Sequence, residues 1–542
     1  MGAPQRDLVW RGEVGEMELL SIGYRFLRAG VLRGTSPSLA LANTLAQFPF
    51  RAQTLASAVR LQASLRPLES AVVDDRGTLT WAGLDNRTRR LAHVLLQHGG
   101  SGSRTCFALR NGREAVECAV ACARAGTVAV PMNTWSGRAE LEHVIETQRP
   151  TLLIANEEYE EALRAVAPEL PLLVVAGPGS SYERALAAAP MGEPWVRGGG
   201  RLVIHTSGTT GKPKGAERDV EGSGLSTLSA LLSRVPLRQE DRFYLAPPLF
   251  HTLAFGMMSA GLVLGATLVL RSRFDADSTP DFLRAQRVTA MAVVPVMLRR
   301  LLDAMPEGMR LPYLRIVLTS GAASPEVLRS RVRQRLGLVH YDLYGATEAG
   351  WATIATPHDM VVRPGTQGRP AGEIRIHIVD PEGNAVPTGQ VGLVMMETGW
   401  AFEGYTGRSA EGVLRQGWVH VGDTGYVDEQ GFLYLTGRAD DMIITGGENV
   451  YPAEVEGALE AHPAVAEAAV VGRPDPEFGQ VVVAYVALRP GHEGVAVDTL
   501  RRFVGERTAR YKAPREIHVV EALPRNVIGK VLRRELRARA SA

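Results

Sequence analysis

Between about residues 70 and 175, short apolar runs that end in turn residues alternate with helical stretches. This alternation constrains the fold more than any other feature. The runs are SAVVDD, TCFALRN, VAVPMN, TLLIAN and PLLVVAG, and segments such as AGLDNRTRRLAHVLLQHG lie between them. Strands that follow one another through a helix pair in parallel, because the crossover returns the chain to the same end of the sheet. The expected class is α/β, with a large multi-layered N-terminal domain of mixed sheets. From about 375 to 436 the pattern changes to short strands and Gly-rich turns, as in EIRIHIVDPEGNAVPTGQVGLVMME, which predicts hairpins and a small β-barrel-like part. A last unit of roughly 100 residues follows GRADD and mixes helices (AEVEGALEAH) with strands (QVVVAYVAL), which predicts a small α+β domain. The expected division is a helical arm at 1–55, a large domain at 56–437 and a small domain at 438–542.

The chain has 542 residues, 45% apolar and 22% charged, with a net charge of +2, so composition points to a globular protein and gives no reason to expect nucleic acid. Arg533, Arg534, Arg537 and Arg539 cluster at the end of the chain and read as a solvated helix face. Cys106, Cys118 and Cys122 are too few for a disulfide framework and have no nearby His for a zinc site, which suits a reducing cytoplasm. No secretory signal is visible in the first 35 residues. In the arm, Leu19, Ile22, Phe26, Ala29 and Leu32 fall at helical spacing, with Arg25, Arg28 and Arg33 off that stripe. The spacing predicts a helix packed on the main body, and its composition is also compatible with contact at a membrane surface. The uncharged run TLAFGMMSAGLVLGATLVL, 252 to 270, approaches spanning length. Its three glycines and its β-branched end instead predict a buried helix followed by a buried strand.

The stretch HTSGTTGKPKGAE, 205 to 217, places three glycines, four hydroxyls and two lysines directly after the strand-like RLVI. Glycines let backbone N–H groups approach a polyphosphate, hydroxyls donate further hydrogen bonds, and lysines offset its charge. It is not a Walker A loop, since Gly208 precedes Gly211-Lys212 by too few residues and Pro213 follows where Ser or Thr is needed. The stretch resembles the phosphate loop of the adenylate-forming enzymes, which include acyl-CoA synthetases, aryl-CoA ligases, nonribosomal peptide adenylation domains and luciferases. Further motifs of that superfamily follow in order: PPLFH at 247, SGAA at 320, YDLYGATEAG at 341, VGDTGYVDEQGFLYLTGRADDMIITGGENVYPAEVE at 421, and LPRNVIGKVLRREL at 523. Together they carry the resemblance over roughly residues 60 to 540, most like a bacterial fatty acyl-CoA synthetase; the arm lies outside it.

The resemblance implies a large domain that binds ATP and the acyl group, with Thr206, Ser207, Gly208, Thr209, Thr210 and Lys214 at the phosphates. Glu348 would hold Mg²⁺ and Thr347 would contact the α-phosphate. Tyr344 would stack on adenine with Gly345 beside it, Asp342 would receive the adenine amino group, and Gly321, Ala322 and Ala323 would line the base. Asp423 resembles the ribose carboxylate, assisted by Arg438; the Thr that often precedes this Gly-Asp is Val421 here. Asp440 matches the hinge of a mobile small domain, and Gly446 and Gly447 match the loop that admits pantetheine. His251, Phe255, Gly256, Val294, Met297 and Ser320 are candidates for the acyl pocket, with His251 also a catalytic candidate.

The implied cofactors are ATP, Mg and CoA, and the implied reaction runs from a carboxylic acid to acyl-AMP and then to a thioester. The uncharged 252–270 run and the apolar arm favour a medium- or long-chain fatty acid. Aryl-CoA ligation, or loading of a separate acyl carrier protein, is the alternative. A non-catalytic acyl-nucleotide sensor would be expected to lose Lys530 or Glu348, and both are present. Lysine occurs only at 212, 214, 512 and 530 among 60 Lys and Arg residues. Three of the four lie in phosphate-handling motifs, and Lys530 matches the lysine that drives adenylation. Lys512 reads as a turn residue.

Overall fold

The computed structural model describes residues 16–31, 33, 55–196, 200–207, 213–219, 223–322, 324–398, 404–405, 414–415, 418–445, 448–526 and 529–541. The parallel α/β pattern expected from the sequence is present in two sheets. The first has nine strands in the order 369–370, 350–355, 340–346, 316–319, 290–293, 242–245, 267–269, 70–74, 77–80. Its central pairs are parallel, and antiparallel pairs close both edges. The second has seven strands in the order 404–405, 213–219, 201–207, 128–131, 104–108, 152–156, 172–175. Central strands such as Ala290–Val293 and Ile316–Thr319 are buried along their whole length, as a sheet covered on both faces requires.

The 252–270 run resolves as expected. Helix Thr252–Leu264 ends at Gly265 in the left-handed conformation, and strand Thr267–Val269 follows at once. No helix among the described residues is long and apolar enough to cross a membrane. The cysteines are buried and free; Cys118 and Cys122 sit on helix Arg113–Ala125 between the layers.

Residues 375–438 form an antiparallel sheet in which Arg375–Val379, Gly392–Glu397 and Trp418–Val427 lie side by side, and Leu433–Arg438 pairs with Trp418–Val427. Beyond Arg438 a separate sheet begins: Val465–Asp475 and Gly479–Leu488 form a long antiparallel pair, and Glu516–Val520 joins it in parallel. This small domain has its own core around Val455, Leu459, Val470 and Val504. The short turn Ala439–Asp441 connects it to the large domain.

Arm helix Glu16–Ala29 packs on the body rather than standing free. Phe26 and Ala29 join the main core, and Arg25 donates to Ser229 of helix Ser223–Arg234 at 2.9 Å, so Arg25 faces the protein. Leu19 and Ile22 are helical, but their side chains, like Leu32, lie outside the description. One expectation fails. Two of the four C-terminal arginines are not solvated: on helix Arg533–Ser541, Arg533 pairs with Glu456 at 2.5 Å and Arg537 pairs with Asp441. Arg534 and Arg539 alone are exposed. A helix spacing of four residues puts Arg533 and Arg537 on one face, beside the buried Leu536.

Candidate active site

The described ends of the glycine- and lysine-rich stretch lie on two antiparallel strands of the seven-stranded sheet, where Thr206 pairs with Lys214 and Ser207 with Pro213. Gly208, Thr209 and Thr210 lie outside the described residues, as do the side chains of Thr206, Ser207 and Lys214. His205, the residue before Thr206, is half-buried, and desolvation of its ring lowers its pKa to about 4; the ring lies 3.4 Å from Gln148 Nε2.

Strand His340–Ala346 leads into the turn carrying Thr347 and Glu348, and Gly350–Ala355 returns antiparallel. A Cβ on Gly345 would stand 2.0 Å from the Gly350 carbonyl oxygen, so only glycine lets the chain turn there. Thr347 meets the hydroxyl of Thr252, the first residue of helix Thr252–Leu264, at 3.0 Å. The turn that would face an α-phosphate is thereby tied to the start of the candidate acyl wall. Glu348 is half-buried at this turn. Among the described residues no group of three or more His, Cys, Asp or Glu could hold a metal. The half-buried Glu348 carboxylate is a hard oxygen donor of the kind that suits Mg²⁺ held jointly with substrate phosphates.

Three of the sequence motifs meet at Asp423. Its strand pairs residue for residue with Arg438, whose Nη1 lies 3.7 Å from Oδ1, and the Tyr344 hydroxyl donates to Oδ2 at 2.7 Å. Burial pushes the Asp423 carboxyl above the usual range, while the Tyr344 hydrogen bond, Arg438, Lys530 and His420 oppose that rise. The Tyr344 phenol is pushed well above its usual value, chiefly by burial and secondarily by the Asp423 charge.

Lys530, on the small domain, acts on Asp423 through its charge. It sits on a tight loop in which Asn526 N donates to the Lys530 carbonyl, Lys530 N donates to Asn526 Oδ1, and Gly529 N donates to the Asn526 carbonyl, each at 2.8 Å. Gly529 adopts φ +81°, which favours glycine, and the Lys530 side chain is exposed.

Asp342 does not fit its expected role. It is 1% exposed, with Oδ1 accepting from Thr319 at 2.7 Å and Oδ2 from Arg329 at 2.8 Å, so its carboxylate faces the interior and is not available to an adenine amino group. The alternation of a strand explains this: Asp342 and Tyr344 are two apart on one face, and the buried Arg329 captures the first of them. Gly321 and Ala322 are exposed, with Gly321 at φ +86°, while Ala323 lies outside the described residues, as do Gly446, Gly447 and the Asp440 side chain.

Around the acyl candidates, Phe255 and Val294 are buried, Ser320 is half-buried, and Met297 packs on the second core. His251 Nε2 is buried and finds no hydrogen-bond partner among the described residues, and burial lowers the His251 pKa to about 3. Its ring lies tilted against Phe250 (centroids 4.3 Å) and Trp135 (6.4 Å). Gly256 lies against the buried ring of Trp351; a Cβ there would be 3.0 Å from Cζ3. Sequence reasoning missed Trp135, Thr252 and Trp351. Trp351 follows YGATEAG directly and could have been found by extending that motif, whereas Trp135 carried no signal.

A hydroxyl- and glycine-rich sequence between paired strands, an Asp423–Tyr344–Arg438 centre and a lysine on a second domain point to a nucleotide-dependent acid-activating enzyme. Comparison with known proteins agrees. Residues 59–406 match the model for AMP-binding enzymes, and residues 454–530 match that for the AMP-binding enzyme C-terminal domain. The chain belongs to this adenylate-forming family. It is 35% identical to feruloyl-CoA synthase of Amycolatopsis sp, over 90% of this chain and 99% of the relative. It is 32% identical to the fatty acid–[acyl-carrier-protein] ligase ScoC of Streptomyces coeruleorubidus, over 90% and 96%. Among solved structures, ATP-bound MatB from Rhodopseudomonas palustris superposes with a TM-score of 0.82 at 27% identity, over 90% of this chain and 99% of that one. o-Succinylbenzoate CoA synthetase from Bacillus subtilis, in complex with its acyl-adenylate, gives 0.78 at 29%, over 90% and 98%.

Proposed function

We propose that the chain activates a compact apolar carboxylic acid, ring-bearing rather than long-chain, and passes it to CoA. The observation that carries the two-step reading is the placement of Lys530, on the small domain, within electrostatic reach of Asp423, the carboxylate that Tyr344 and Arg438 already hold. In the first step the acid's carboxylate attacks the α-phosphate of ATP, the bond to pyrophosphate breaks, and acyl-AMP forms. Both reactants are anions, so the barrier is largely repulsion and positioning. Lys530 offsets the charge at the reacting phosphate, Thr347 donates to it, and Asp423 with Arg438 fixes the ribose. The stretch from Thr206 to Lys214 holds the departing phosphates. Glu348 is the residue that would hold Mg²⁺, which supplies further charge neutralisation when bound. In the second step the small domain turns about Asp440, Lys530 withdraws, and the segment at Gly446 and Gly447 admits the pantetheine thiol, which attacks the acyl carbonyl as the acyl–oxygen bond to AMP breaks, AMP leaves and the thiol proton is released.

The nature of the acid follows from what stands beside Thr347. The acid must reach this turn, and from there it meets the first turns of helix Thr252–Leu264. Aromatic side chains crowd that region: Phe250, His251 and Trp135 at its start and Trp351 against Gly256. The neutral His251 and these rings suit a planar apolar acid, and the relationship to feruloyl-CoA synthase supports this. The similarity to a fatty acid–carrier ligase keeps a fatty acid, with a carrier protein as acceptor, as the second reading. Pyrophosphate release with ferulate, 2-succinylbenzoate, anthranilate and dodecanoate, each with and without CoA, separates the two. Dodecanoate as the preferred acid overturns the compact-acid reading, and release with no carboxylate overturns acid activation.

A further inference from the structure

Helix Pro295–Ala304 buries Leu298, Leu301 and Leu302 in the large domain and turns Val296 and Arg299, three residues apart, toward the small domain. Both are met there. A Cβ on Gly529 would stand 2.1 Å from Val296 Cγ1, so the residue before Lys530 is pressed against the large domain as closely as glycine allows. Arg299 forms an ion pair with Glu467 of strand Val465–Asp475. The other oxygen of Glu467 accepts from Arg525 Nη2 at 2.7 Å, and Arg525 Nη1 donates to the Gly529 carbonyl. One carboxylate thus serves two guanidiniums, one from each domain, and the second of them holds the backbone that carries Lys530.

We infer that Arg299 is a positioning residue for acyl-AMP formation: with Val296 it is the large-domain half of a latch that holds the small domain where Lys530 meets the Tyr344–Asp423 centre. The inference rests on Lys530 serving the first step. Arg525 and Glu467 share a domain and stay together when it turns, whereas the Arg299–Glu467 pair spans the two domains and must break. Burial lowers the Arg299 pKa and Arg525 lowers it further, while Asp303 on its own helix and Glu460 of the small domain oppose the fall. Water solvates both partners once the domains part, which makes the pair a contact specific to one orientation.

The test separates the two half-reactions in Arg299→Ala, Arg299→Lys and Lys530→Ala, using the best acid of the panel above for pyrophosphate release and its preformed acyl-AMP for thioester formation. Arg299→Ala is expected to slow acyl-AMP formation about 10- to 100-fold, the scale of a small misplacement of a reacting group, and to spare the thioester step. Arg299→Lys is expected to recover part of the loss. An unchanged first step, or a loss at least as large in the second, overturns the latch. If Lys530→Ala fails to separate the steps, the role of Lys530 falls, and the latch is then decided by geometry. The three native cysteines are buried, so Leu338→Cys and His492→Cys, both at exposed positions, take nitroxide labels selectively. With ATP and Mg²⁺, Arg299→Ala is expected to deplete the short-distance population between the labels, and an unaltered distribution overturns the proposal.

Discussion

Asp342 and Asp423 are both aspartates in family motifs, and the fold treats them in opposite ways. Asp342 lies on the central strand His340–Ala346, sealed by Thr319 and Arg329. Asp423 lies on the antiparallel sheet near the domain junction, where Tyr344, Arg438 and Lys530 converge on it from three segments. The first ties a strand to helix Glu326–Leu336; the second gathers groups from the large domain and, through Lys530, from the small one. A carboxylate in a motif is therefore not yet a ligand group. What decides is whether its partners come from one rigid layer or from parts that can separate.

The sharpest test lies on the Asp423 side. Lys530→Ala is expected to lower acyl-AMP formation by about 10³-fold, as removal of one electrostatic stabiliser does in other active sites, while thioester formation from supplied acyl-AMP continues. Lys530→Arg is expected to lose most of the same step, because a planar fork cannot replace a point donor on a flexible stem. Equal loss of both half-reactions in Lys530→Ala removes the distinction between the two carboxylates as drawn here.

On the Asp342 side the effect is on stability. Arg329→Met leaves a buried carboxylate without its counter-ion and is expected to cost about 3 kcal/mol, read as a shift in the denaturation midpoint. The double variant Arg329→Met/Asp342→Asn is expected to recover most of this, since the amide needs no partner charge. If Arg329→Met instead changes only the KM for ATP, Asp342 belongs to the nucleotide site after all.

Much of this was legible in the sequence. The parallel layers, the buried fate of the 252–270 run and the motif order all follow from local pattern, which strands and helices write directly. The inward turn of Asp342 was not legible, because it depends on Arg329, thirteen residues upstream on a helix that only the tertiary fold brings underneath. The same holds for Arg533 and Arg537, whose partners Glu456 and Asp441 are distant in sequence. Lys512, read as a turn residue, does sit in a short turn, and its ammonium also meets Glu454 at 2.6 Å. Charges find partners far away in the sequence; apolar periodicity does not need them.

A smaller effect is expected from Tyr344→Phe, which removes the hydrogen bond that lowers the Asp423 pKa. Burial already raises that pKa, so loss of the hydroxyl raises it further. In the proposed role the ionised carboxylate accepts from ribose hydroxyls, so affinity for ATP is expected to fall as pH drops through this pKa. The variant is therefore expected to move the acidic limb of 1/KM for ATP to higher pH and to raise KM about tenfold near pH 7. His251, with a pKa lowered to about 3, is expected to add no limb of its own above pH 5. An acidic limb that does not move in Tyr344→Phe would separate the Tyr344–Asp423 contact from nucleotide binding.

The smallest effect concerns Glu460, which stands near the Arg299–Glu467–Arg525 contact. Burial raises its carboxyl pKa to about 7, with Glu456 adding to the rise and Arg299 and Arg525 opposing it. A carboxyl whose folded pKa exceeds the unfolded one favours folding in its protonated form. Its contribution is complete below about pH 4, the unfolded value, and is lost as pH rises toward 7. Glu460→Gln mimics the protonated state at every pH. It is expected to stabilise the protein by about 1 kcal/mol at pH 8 and by almost nothing at pH 4.5, measured as the difference in unfolding free energy from the parent chain. Arg299 and Arg525 bear on Glu460 from opposite sides of the domain junction, so Arg299→Ala is expected to raise the Glu460 pKa and extend its pH dependence upward. A pH dependence identical with and without Arg299 would place Glu460 outside the reach of the large domain and confine its titration to the small one.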